Sequence, residues 1–144
     1  MINKMYAGIA ARLEELFAPR PIIYFDNLPQ GFHAPCFFVK LIQAECKQKL
    51  WNRYEMKLDF DVMYYPESEQ EDNVEELNSV AFKLIYGLEY VTLENAPLRG
   101  REISSRVTDD VLHFSISYEF FVTKEMPMSP LMEKLIQKYQ RKCE

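Results

Sequence analysis

The chain has 144 residues, one domain's worth, and at that length folding buries roughly 68–70% of the unfolded surface. Apolar residues make up 48% and aromatics 14%, enough for one core, while 4 glycines and 8 prolines exclude a linker or low-complexity tract. A formal charge of −5, from 17 basic and 22 acidic residues, argues against nucleic acid as a partner, because phosphate binding needs clustered Lys and Arg.

The first segment repeats apolar residues at Ile2, Met5, Ile9, Leu13 and Leu16, with Phe17 beside the last, a spacing that predicts one helical face. Arg12, Glu14 and Glu15 interrupt any apolar stretch here, so neither a signal peptide nor a membrane anchor is expected. Pro19 and Pro21 stop the helix, and Ile22-Ile23-Tyr24-Phe25 reads as a brief strand before a turn at Asp26-Asn27. Pro35 to Ile42 is a nearly continuous apolar run, suited to a strand buried on both faces, although periodicity alone also allows a helix.

Period-two alternation then becomes clear. From Arg53 to Tyr64 the even positions are apolar, and the odd ones carry charge up to Asp61. That pattern predicts a strand with one face on the core and the other toward water or a partner. Between the two strands, Lys47 to Arg53 reads as a polar, basic loop carrying the single tryptophan. Trp51 there is either an interface anchor or a ring folded back over the sheet edge. Tyr64-Tyr65 reads as the edge of the core.

Ser68-Glu69-Gln70-Glu71 has the form of a capping box, and Asp72, Glu75 and Glu76 suit a helix N-terminus. Val74, Leu77, Ala81, Leu84 and Leu88 mark the predicted core face of that helix, which ends around Gly87 to Tyr90. The acidic run from Glu67 to Glu76 lacks the glycine and ligand spacing of a calcium loop. A weaker strand, Arg99 to Val107, and a second alternating one, Val111 to Val122, form a predicted hairpin across Thr108-Asp109-Asp110. Ser129 and Pro130 then open a predicted C-terminal helix, with the extension spanning 126–144. The expected fold is α+β: one domain over 1–144, with a mixed, largely antiparallel sheet, two helices on one face and a short C-terminal helix.

Catalytic chemistry finds little support. His33 and His113 sit in no metalloprotease or nucleophile-elbow pattern, and the four glycines form no phosphate loop. His33, Cys36 and Cys46 lack the paired short spacing of zinc ligands. Three widely spaced cysteines, Cys36, Cys46 and Cys143, read as reduced thiols and not as a disulfide framework. Asp59 and Asp61 share a strand face with Arg53 and Lys57, which favours a salt-bridged surface over a carboxylate pair for acid–base work. No enzyme activity, cofactor or metal is expected.

The order of these segments resembles the tail terminator (tail completion) proteins of long-tailed bacteriophages and prophages. The resemblance lies in the N-terminal amphipathic helix, Pro35-Cys36-Phe37-Phe38-Val39-Lys40-Leu41, Asn52-Arg53-Tyr54 and Asp61-Val62-Met63-Tyr64-Tyr65-Pro66. It continues through Glu76-Leu77-Asn78, Leu84, Asp110-Val111-Leu112-His113-Phe114 and Tyr118-Glu119-Phe120-Phe121-Val122, covering roughly Ile2 to Lys124, and fades after Met126-Pro127. These are loosely patterned structural residues with no single diagnostic motif.

The resemblance implies a ring, usually hexameric, that caps the tail tube, stops its elongation and joins the head connector. Its implied partners are further copies of itself, the tail tube protein and the head–tail connector, without nucleic acid or membrane. Its implied location is the host cytoplasm during assembly and the virion tail afterwards. The residues expected at interfaces are Lys49, Trp51, Arg53, Glu55, Lys57, Asp59, Asp61, Arg99 and Arg101. Two other readings stay open: a head–tail connector or other tail-assembly component, and a small ligand-binding domain with its pocket between helix and sheet.

Overall fold

The computed structural model describes residues 2–17, 21–67 and 74–123. Within these the order is α1 (Ile2–Leu16), β1 (Ile22–Phe25), β2 (Cys36–Leu50), β3 (Arg53–Tyr65), α2 (Val74–Gly87), β4 (Tyr90–Leu93), β5 (Ala96–Thr108) and β6 (Val111–Thr123). The strands form one six-stranded sheet in the order β1-β2-β3-β6-β5-β4. Only β1 runs parallel to its neighbour; the other pairings are antiparallel. The fold is α+β, as expected. The capping box Ser68-Glu69-Gln70-Glu71 and the helix expected over 126–144 lie outside the described residues.

Alternation in β3 is realised as the sequence predicts. Tyr54, Leu58, Phe60, Val62 and Tyr64 are buried, and none of the odd positions is. Leu112, Phe114, Ile116 and Tyr118 of β6 lie beside them, so the two central strands supply one continuous apolar face. Both helices join this core: α1 through Met5, Tyr6, Ile9 and Leu13, α2 through Leu77, Val80 and Leu84. Tyr6 fixes the placement of α1. Its hydroxyl donates to the Asp26 carboxylate and accepts from the Leu41 N–H at 3.0 Å, while its ring meets Phe25 and Phe60 edge-on at 5.4 and 5.5 Å.

Three elements differ from expectation. β2 does not stop at Ile42; it continues to Leu50, so Lys47 to Leu50 belong to a strand and not to a loop. Cross-strand charge favours the extension: Glu45 lies opposite Lys57 and Lys47 opposite Glu55. Second, the residues after α2 form β4, which turns into β5 through Glu94 and Asn95, both at positive φ. Asp109 and Asp110 repeat that geometry in the predicted β5–β6 hairpin, the pattern of a type I′ turn. Third, Val74 is exposed, and Val80 is the α2 residue that goes inward. Cys36 is a buried free thiol.

Candidate assembly surface

The β2–β3 hairpin turns at Trp51-Asn52. Trp51 adopts φ 31°, a region costly for a bulky aromatic, and its side chain remains 57% exposed. The ring therefore does not fold back over the sheet edge. Leu50 beside it is 70% exposed. Lys49 and Glu55 pair across the hairpin at 3.7 Å, and the Arg53 guanidinium stacks 4.2 Å above the ring of Phe121. The tip is thus an ordered patch of apolar and cationic groups. An exposed aromatic held in a disfavoured backbone conformation marks a position kept at some cost to folding.

The odd face of β3 lies behind the tip. Lys57 pairs with Glu102 at 3.2 Å, which raises the ammonium pKa and lowers that of the carboxyl. Asp59 accepts a hydrogen bond from Ser117, and Asp61 stands 3.7 Å from the Nδ1 of His113. Each of the three thus has a neighbour within the sheet, although the Oδ1 of Asp61 is buried without a hydrogen-bond partner. Arg101 lies opposite Ser117 on β5, and Arg99 pairs with Glu89 at 3.4 Å. Arg99, Arg101, Glu89 and Glu102 line a shallow hollow of 390 Å³, in which Arg99 pairs with Glu89 while Glu102 is held by Lys57 from outside it.

Thus the structure gathers Lys49, Trp51, Arg53 and Glu55 at one end of the sheet and Lys57, Asp59 and Asp61 along its outer face. Arg99 and Arg101 are placed separately, on β5. The sequence reading missed Leu50 and Phe121 at the tip, and it missed the outer face of α2, where Phe82, Ile85 and Tyr86 are exposed. Their spacing of three and four residues was an available signal for a second helical stripe. On the catalytic side, burial pushes the Cys36 thiol up to about 11, so it is protonated and a poor ligand or nucleophile near neutrality. Among the described residues no group of three metal-ligating side chains converges, and no helix is long and apolar enough to cross a membrane.

The described residues form a mixed-sheet domain that presents surface ion pairs and exposed aromatic patches, chemistry suited to contact with other proteins. Residues 4–130 match the family described as phage tail terminator protein, and the chain belongs to that family, whose members are structural and not enzymatic. A solved structure with 16% identity aligns over 88% of this chain and 98% of its own, with a TM-score of 0.45. Among proteins of curated function, none matches.

Proposed function

We propose that this chain forms a hexameric ring that caps the finished tail tube, stops its polymerisation and presents the surface to which the head connector joins. Membership of the tail terminator family over residues 4–130 carries this reading. The exposed patches support it, since a ring subunit needs two different contact surfaces, one for each neighbour. Assembly takes place in the host cytoplasm, and the ring then remains in the virion tail.

Light scattering across a concentration series, with electron microscopy of any large species, tests the proposal. Closed rings of the isolated protein, or rings formed on the ends of purified tail tubes, are the expected result. A strict monomer that also fails to bind tubes overturns it. Binding to a head-connector complex without any affinity for tubes would reassign the chain to the connector side of the junction.

A further inference from the structure

Two exposed patches complement each other yet stand too far apart to meet within one subunit. The first is the outer face of α2, where Phe82 and Tyr86 are 63% and 68% exposed and their rings stack at 4.8 Å, with Ile85 beside them. Glu75 and Glu76 make the start of this helix acidic, and Glu67 precedes it. Its one basic residue, Lys83, is directed at the ring of Phe17. The second patch is the hairpin tip, with exposed Leu50 and Trp51 among Lys47, Lys49 and Arg53.

Placement of α2 over the sheet keeps the patches apart. Tyr64 donates to Glu76 at 2.6 Å, which ties the acidic end of α2 to the end of β3 remote from Arg53. At about 3.3 Å per residue, Tyr64 lies about 36 Å along the strand from Arg53. The other end of α2 is tied by the bond from the Tyr118 hydroxyl to the Leu88 carbonyl at 2.6 Å, and Tyr118 lies opposite Leu58. That end is still about 17 Å short of Arg53. The aromatic stripe also faces away from the sheet, so a subunit's own tip cannot reach it.

We infer that the tip of one copy docks on the outer face of α2 in the next, with Trp51 against Phe82 and Tyr86 and the tip's basic groups toward Glu75. This inference rests on the ring reading and names the contact that would close the ring. The contact is heterologous, one patch meeting a different patch on the neighbour, which is what a closed ring of identical subunits requires. Aromatic and arginine anchors of this kind dominate the binding energy of protein interfaces. The opposed charges set the register of the two copies.

Two surface variants, Trp51→Ala/Arg53→Glu and Phe82→Ser/Tyr86→Ser, test the inference, with circular dichroism and thermal melting to verify that both remain folded. Each keeps one intact half of the contact. Each alone should need about a tenfold or higher concentration to assemble, with or without tail tubes. An equimolar mixture should give a discrete heterodimer that grows no further, because only one intact tip and one intact α2 face remain between the two chains. Restored assembly when Arg53→Glu is combined with Glu75→Lys would support the charge pairing. Rings that persist in both variants would overturn the inference and leave the ring reading intact. Wild-type subunits that neither form rings nor bind tubes, with no heterodimer in the mixture, would overturn both.

Discussion

Gly8 lies where α1 crosses β4, and a Cβ added there would meet the Thr92 carbonyl oxygen at 2.8 Å. Alanine is the better helix former by about 1 kcal/mol, but overpacking against backbone costs about 1–3 kcal/mol. Gly8→Ala is therefore expected to destabilise the domain and lower its melting temperature by a few degrees, reversing the usual sign for this substitution inside a helix. Tyr118 presents the opposite case, a polar atom that must be kept. Its hydroxyl is buried and holds the Leu88 carbonyl. Tyr118→Phe leaves that acceptor without its donor and should cost about 1–3 kcal/mol in denaturant unfolding. Trp51 offers a way to test folding and the proposed assembly contact separately. Glycine tolerates its positive φ, so Trp51→Gly should melt no lower than the parent subunit while losing self-association in light scattering. A clear drop in melting temperature would instead give Trp51 a role inside the fold.

At the level of elements, the sequence was most legible where one face of a strand is apolar and the other charged. Arg53 to Tyr64 shows that alternation without ambiguity, and β3 occupies the same span to within a residue. β6 was equally clear, and the Asp109-Asp110 turn located the hairpin. The distal half of β2 was hidden for a physical reason. Gln43, Glu45, Lys47 and Gln48 carry no apolar signal of their own, and they become strand residues by pairing with β3. β4 has four residues and is set by its turn and by packing against α1, so local periodicity does not announce it. Of the candidate surface, the sequence placed Trp51 and Arg53 in one basic segment but left the ring either exposed or folded over the sheet edge. The α2 stripe had a spacing signal, but an apolar residue on a helix reads first as core, and only the position of the sheet shows that Phe82, Ile85 and Tyr86 point outward.

Across the molecule, buried phenols set an upper pH limit. Burial, followed by the bond to Asp26, raises Tyr6 to about 12, and desolvation also raises Tyr64 and Tyr118. Each folded-state value lies above the unfolded one of about 10, so the native protein holds these protons more tightly. The stability they contribute is complete below about pH 10; that of Tyr6 should be lost between there and about pH 12, and that of Tyr64 and Tyr118 at still higher pH, as a titration monitored by circular dichroism would show. Salt is expected to act on the proposed assembly more than on the fold. Added salt screens exposed charges and should weaken self-association in light scattering while leaving the melting temperature of the subunit nearly unchanged. The seat of α1 against β4 also orders events during synthesis. Tyr6 can meet Phe25, Leu41 and Phe60 as soon as the first three strands exist, but the fit of Gly8 against Thr92 waits for a strand made far later in the chain. Until then one side of α1 stays uncovered, and a chaperone that binds apolar helices would find its hold there and lose it only when β4 arrives.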